Sequence, residues 1–596
     1  MRVLDPPVPS AARRHLRWHQ LHGSAAALAI AEATRSDERL YVLVADAARE
    51  LDRLAAELRF FAGERLKLLA FPDWEVLPYD LFSPHPDIIS ERLRTLFELP
   101  QTRHGCLIVA ADTLMQRLPP KQYVQSRAFE LTRGQALELE PFRQRLIDAG
   151  YASVSQVTSP GEFAVRGSLF DVFPMGGTAP LRIDLFDEEI EAIRRFDPES
   201  QRSLDALDGV RLLPAREMPL DAEAVREFRR RFRTRFEGDP SRTTIYRGVS
   251  EGLAPAGIEF YQPLFFEQTA TLLDYLPANA IIVRDAALPA ALQKAWSGIA
   301  TRYEDRRHDI ERPLLAPVEL FVEPTELEGR LDGFSSITLE AFEADTTLGA
   351  AAAGNLRNFP TVMPRDLRVD ARAEQPLAAL DGFLADFDGR VLIAADSPGR
   401  REVLGDLLRG HGLSVEAVQG WEAFSDGSSA LALTVAADLG GLTLTQPRIA
   451  IISEAQLFGA RARQERRRKR AAVDPEAILR DLQDLNPGAP VVHEEYGVGR
   501  YVGLQSMEVA GQPGEFLVLE YLDGDRVYVP VHALHLVTRY TGAAPESAPL
   551  HKLGTDQWAK ARKRAADQIR DVAAELLDLY ARRKAQKGLR LALNEG

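Results

Sequence analysis

Four stretches of the chain hold residue types at spacings that chemistry uses. His22-Gly23-Ser24-Ala25-Ala26-Ala27-Leu28 stands where an α/β domain would open its first helix. A phosphate-binding loop needs glycines for close backbone approach, a lysine on the phosphates and a Ser or Thr on magnesium. Here the lysine is missing. The magnesium carboxylates are incomplete as well, because the apolar run ending at Ile452 is followed by Ser453-Glu454, where an active motor would place Asp-Glu. Gly248-Val249-Ser250-Glu251-Gly252 matches the G-x-S-x-G nucleophile elbow, which requires a helix directly after the serine. Pro255 follows instead, in LAPAGIEF, and the stretch reads as a surface turn. His15 and His19 are four apart but lack the glutamate of a zinc-protease motif, and Cys106, the single cysteine, excludes an intrachain disulfide and a Cys-based zinc cluster. No catalytic residue and no metal site is assigned.

Binding chemistry is better represented. Leu181–Phe186 and Ile190–Phe196 are strand-like runs separated by Asp187-Glu188-Glu189, which suits a hairpin. Side chains alternate across a strand, so Ile183 and Leu185 take the core face while Arg182, Asp184 and Phe186 share the other. Phe163–Val172 reads as one neighbouring strand, with Arg166 and Ser168 on the face opposite Val165 and Leu169. An outward Phe beside arginines has the composition of an interface hot spot. The same pattern also fits a satisfied Arg–Asp pair with Phe186 packed under a loop. In Arg226–Phe236, Phe228, Phe232 and Phe236 recur every four residues, marking a helix face that packs inward with arginines outside. Arg461–Arg470, RARQERRRKR, carries seven basic residues and one acid. Such a run fits a solvated helix or linker, and it also fits phosphate backbones, with Arg466, Arg467, Arg468, Lys469 and Arg470 as candidate DNA contacts.

The elements that must carry these residues follow from length and pattern. A chain of 596 residues exceeds what one core supports and divides into about four domains. Its net charge of −14 confines any DNA contact to a local patch. No apolar stretch is long enough to span a bilayer and the start has no signal core, so a cytoplasmic protein without membrane contact is expected. Leu40–Ala45 is a short, wholly apolar run, as expected of a strand buried in a parallel sheet, and Leu66–Phe71 and Cys106–Ala111 read as two more buried strands. Residues 73–93 read as a packed loop that turns helical near Ile88. Val391–Ala395, Ala430–Ala436 and Arg448–Ile452 give a second α/β unit. Residues 488–537 are glycine-punctuated strands with a turn at Asp523-Gly524, which implies a small barrel whose edges bind partners by strand addition. Asp556–Lys587 reads as one long amphipathic helix.

Taken together, DWEVLPYDLFSPHPDIISERL, FAVRGSLFDVFPMG, GIEFYQPLFF, PVVHEEYGVGRYVGL, YVPVHALHLVTRY and HKLGTDQWAKARKRAADQIRDVAAELLDLYARR closely resemble the amino-terminal half of bacterial transcription-repair coupling factors (Mfd), in order from about Leu40 onward. The resemblance implies a multidomain α/β chain. Residues 1–118 and 213–345 would form a degenerate P-loop-type domain like that of the repair protein UvrB, and 119–212 an inserted α+β module that binds UvrA. Residues 346–460 would be a small α/β domain, 461–487 a basic connector, 488–545 a Tudor/SH3-like, CarD-related barrel that binds RNA polymerase, and 546–596 a relay helix leading to a motor absent from this chain. Family residues engaging UvrA carry over to Arg166, Arg182 and Phe186. The polymerase contact strand maps to Gly499 through Met507, with Gly499, Arg500, Tyr501, Leu504 and Met507 as its candidates. A leucine in relatives is Met507 here. The implied function is an adaptor that holds the RNA polymerase β subunit and UvrA. Double-stranded DNA, ATP and Mg would belong to the missing ATP-dependent translocase, and no cofactor to this chain. The alternatives are a UvrB-like, ATP-dependent damaged-DNA-binding enzyme and a CarD-like DNA-binding transcription regulator.

Overall fold

The computed structural model describes residues 3–198, 201–345, 354–369 and 375–459 of a first compact unit, Met1–Arg463. Of a second unit, Gln464–Gly596, it describes residues 488, 490–493, 496–509, 512–530, 537–539, 550 and 552. The basic run Arg461–Arg470 and the terminal helix expected over Asp556–Lys587 lie outside the described residues.

Among the described residues the first unit holds three larger sheets and a two-stranded one, Phe129–Thr132 with Gly209–Leu212. Leu40–Ala45 is buried at every residue because it lies inside an all-parallel sheet covered on both faces. That sheet has seven strands in the order Leu356–Asn358, His15–His19, Ser335–Leu339, Ile281–Asp285, Leu40–Ala45, Gly105–Ala110, Leu68–Phe71. Residues 213–345 thus return to complete the sheet begun by the first 118 residues. The His15–His19 strand was not legible as one: its histidines and arginines hide Leu16 and Trp18, which are buried. His15 meets the Ser336 hydroxyl and His19 the Phe342 carbonyl. Four residues apart on a strand they are separated by about 13 Å, too far to share a metal.

The loop after Phe71 packs Trp74 and Tyr79 inward, leaves Leu77, Leu81 and Phe82 exposed, and enters the helix Pro86–Glu98. Arg92 of that helix is fully buried against Glu217 at 2.5 Å and lies over the Phe71 ring, which ties the helix to the segment leaving the inserted module. The module's sheet has six strands in the order Ser203–Leu207, Glu189–Phe196, Leu181–Phe186, Leu169–Val172, Glu162–Arg166, Ala152–Ser153. The helix Leu139–Asp148 covers one face, with Phe142 edge-on to Phe170.

A third sheet orders Glu416–Ala417, Leu431–Val435, Arg390–Ala395, Arg448–Ser453, Leu442–Thr445, parallel except for its last strand. The second unit contains five antiparallel strands in the order Arg526–Pro530, Gln512–Glu520, Gly497–Val509, Pro490–His493, Val537–Arg539. A small barrel is the expected form of this unit; among the described residues its two end strands are not paired with each other. Among the described residues, no helix is long and apolar enough to cross a membrane.

Candidate protein-binding surfaces

The module's outward face follows from register. Arg166 opposes Leu169, Leu169 opposes Asp184, and Asp171 opposes Arg182 across three neighbouring antiparallel strands. Directly opposed residues share a face, and so do residues two apart. Arg166, Leu169, Asp171, Arg182, Asp184 and Phe186 therefore stand on one face, while Ile183 and Leu185 are buried on the other. The reading of Phe163–Val172 as one continuous strand is corrected. Gly167, at φ +66°, turns the chain, so Leu169 sits beside Arg166 instead of opposite it. Two short polar-tipped strands joined by Gly-Ser look like one strand when only alternation is counted.

The face divides into two ends. At one end Arg182 makes a bidentate pair with Asp171, 2.8 and 2.9 Å, donates to the Gln201 carbonyl and stacks over Phe196. Hydrogen bonding to Asp171 raises the guanidinium's pKa further, and the Asp171 side chain is 3% exposed. At the other end Phe186 is 70% exposed, and Leu169 on the same face is also exposed. Arg166 is exposed and donates to the Ser155 carbonyl at 2.6 Å. Asp184 pairs with Arg194 from the next strand. Of the three residues singled out, Arg166 and Phe186 present free surface, and Arg182 is spent largely on holding the sheet face together. Leu169 was missed because the turn that exposes it was missed.

In the second unit, Gly497–Val509 pairs with Pro490–His493 only through Arg500, and with Gln512–Glu520 from Arg500 onward. The Gly488 amide donates to the Tyr501 carbonyl at 2.7 Å, and beyond it, over residues 502–509, the backbone edge away from Gln512–Glu520 pairs with no strand among the described residues. An unpaired edge offers N–H and C=O groups to an added strand. Gly499 is buried, and a Cβ there would stand 3.1 Å from the Tyr521 ring, so the glycine admits that aromatic. Tyr501 is buried, Val502 is exposed, and Arg500 donates to the Gly488 carbonyl at 2.8 Å. Leu504 opposes Leu517 and Met507 opposes Gly514 in the ladder.

The incomplete phosphate loop has its own geometry. The first helix, Ala25–Ser36, opens after Gly23-Ser24, as a nucleotide site would require. The Ser24 amide, however, donates to the Gly441 carbonyl at 2.8 Å. The Ser24 hydroxyl donates to Glu57 at 2.8 Å and accepts from the Gly440 amide at 2.8 Å. A Cβ at Gly23 would collide with the Gly441 carbonyl oxygen. Burial raises the Glu57 pKa. A turn from the third sheet thus lies where phosphates would lie, and with no lysine the residues present do not fit a nucleotide's phosphates. Glu454, after the strand Arg448–Ser453, is likewise engaged: it is buried, accepts from the Asp396 amide at 3.0 Å and pairs with Arg400 at 2.6 Å. Ser250 ends the helix Thr244–Ser250, so the elbow geometry is absent there.

Comparison with known proteins follows the same division. The family model of the UvrB interaction domain matches residues 129–218, that of the MFD, D3 domain matches 383–457, and that of the CarD-like/TRCF RID domain matches 485–541. The chain is 40% identical over 587 residues to the transcription-repair-coupling factor of Haemophilus influenzae, covering 98% of this chain and 50% of that protein. It is 41% identical over 570 residues to that of Escherichia coli K12 (96% and 49%) and 31% identical over 607 residues to that of Myxococcus xanthus (97% and 50%). The chain spans about half the length of the curated relatives it matches.

Proposed function

We propose that this chain, whose sequence matches the amino-terminal half of transcription-repair-coupling factors, is an adaptor that grips two other proteins. The module at 129–218 holds UvrA, and the sheet at 485–541 holds the RNA polymerase β subunit. In the whole protein an ATP-driven motor on double-stranded DNA would act on the stalled polymerase while this part recruits repair, in the cytoplasm. One observation carries the reading: a single chain matches both a UvrB interaction domain and a polymerase-interacting domain. The exposed Phe186 supports the first assignment, and the 502–509 edge, which pairs with no strand among the described residues, supports the second.

The rival enzyme reading needs a triphosphate site. The turn at Gly440-Gly441 against Ser24 argues against one, as does the missing lysine. No step of chemistry is therefore assigned to the first 463 residues.

The test is a pull-down of purified UvrA and of purified RNA polymerase β subunit on the immobilised chain. Retention of both is expected. Loss of both would reject the adaptor. Nucleotide turnover by the chain, measured as phosphate release with and without duplex DNA, is expected at background. Turnover above background would favour the enzyme.

A further inference from the structure

The segment 222–247 holds eight arginines against four acids in a chain whose net charge is −14. Asp221 caps the helix Ala222–Arg235 by accepting from the Glu223 and Ala224 amides. Phe228 and Phe232 are buried against Phe265, Tyr246 and Tyr261, which fixes the helix's rotation. Two arginines are consumed inside the fold: Arg231 donates to the Leu264 carbonyl, and Arg235 makes a bidentate pair with Glu319. The rest are available. Arg226, Arg229, Arg230 and Arg233 are spaced i, i+3, i+4, i+7 and so form one stripe, about 10 Å long on the axis. Arg229 and Arg233 both lie over the Tyr246 ring, at 5.9 and 5.5 Å, and Arg229 donates to its hydroxyl. Tyr246 belongs to the next helix, which adds Arg247, and Arg242 precedes it. Among the described residues, Arg226, Arg229, Arg233, Arg242 and Arg247 make no ion pair within 4 Å, while Glu227 is shared by Arg230, at 2.7 Å, and Arg231, at 3.3 Å.

We propose that this arginine stripe is a binding surface for the sugar-phosphate backbone of a nucleic-acid duplex. Its composition separates that partner from a protein. Protein interfaces carry an apolar centre, and no large apolar side chain between Ala222 and Ser250 is exposed. Guanidinium groups held over an aromatic ring are pre-oriented, and arginine is the side chain suited to phosphate. A duplex presents a charge about every 1.7 Å along its axis, so the stripe spans several phosphates without reading sequence.

The test titrates the chain into a short fluorescein-labelled DNA duplex of mixed sequence at several salt concentrations, followed by anisotropy. Five phosphate contacts give a slope of log K against log salt of about −4.5, and neutralising three should bring it to about −2. The triple variant Arg226→Gln, Arg242→Gln, Arg247→Gln breaks no side-chain hydrogen bond or ion pair of the described residues, since Arg226 and Arg242 only neighbour the carboxylates Glu227 and Asp239, and should keep the thermal midpoint while binding at least tenfold more weakly. Lysine at the same three positions should restore most of the slope. Unchanged affinity and slope in the glutamine variant would overturn the proposal and return any DNA binding to Arg461–Arg470. Displacement of the duplex by poly-glutamate as effectively as by unlabelled duplex would also overturn it, in favour of an acidic protein. UvrA retention in the same variant reports separately on the adaptor reading.

Discussion

Truncating Arg182 would leave Asp171, 3% exposed, as a buried carboxylate with no guanidinium against it. Breaking such a pair from one side costs about 3 kcal/mol, so Arg182→Ala should lower the thermal midpoint as well as UvrA binding. Phe186 makes the cleaner probe. At 70% exposure its removal should move stability by less than about 0.5 kcal/mol, while UvrA retention on the Phe186→Ala chain falls at least tenfold, as at an exposed hot spot. Normal UvrA affinity in that variant would remove Phe186 from the interface. A second residue couples the fold to pH. Glu259 is buried beside the Ser83 hydroxyl at 2.7 Å, and burial lifts its pKa from 4.5 to about 7. The folded state therefore takes up a proton, and the stability this adds is full below pH 4.5 and lost as pH rises through 7. Between pH 5 and pH 8 the wild-type chain should lose about 3 kcal/mol relative to Glu259→Gln, at 1.36 kcal/mol per unit. Parallel pH curves for the two proteins would count against that assignment.

Gly23 shows what one element demands of another. As sequence it reads as a remnant of a phosphate loop. In the fold its φ of +59° and missing Cβ are required because the Gly441 backbone passes against it. Gly23→Ala should destabilise the first unit by about 2 kcal/mol or more, from strain plus the displaced turn. Ser24→Ala, which removes only the hydroxyl linking Glu57 and the Gly440 amide, should cost about 1–2 kcal/mol. Calorimetry that found both substitutions neutral would mean the turn does not brace the helix. Much of this architecture was legible because buried parallel strands such as Leu40–Ala45 announce themselves by composition. The strand His15–His19 was not, since its inward Leu16 and Trp18 are diluted by His and Arg whose partners, Ser336 and Phe342, lie over 300 residues away. The binding face was legible in the strand Leu181–Phe186, where alternation runs unbroken. It failed at Gly167-Ser168, where a turn inverts the alternation. The fate of Arg182 was hidden for the same reason: its partner Asp171 could be placed opposite it only after that turn was known.

At the scale of the molecule, the two candidate surfaces belong to different compact units, Met1–Arg463 and Gln464–Gly596. Residues that share no partner contribute additively, which makes the adaptor reading quantitative. Phe186→Ala should weaken UvrA retention and leave RNA polymerase β binding unchanged. Met507 stands in the ladder opposite Gly514, on the strand whose other edge, beyond Tyr501, pairs with no strand among the described residues. Met507→Arg would bring a charge to a contact where the family resemblance implies an apolar residue, at a cost of several kcal/mol when unpaired. It should abolish polymerase β retention and leave UvrA retention intact. The double variant should lose both, each by the same factor as in its single variant, read by titrating one partner in the presence and absence of the other. A chain that grips its partners independently gives a ternary complex whose two affinities match the binary ones. If saturating UvrA changed the polymerase β affinity several-fold, the surfaces would be coupled, and the chain would be a switch and not a passive tether.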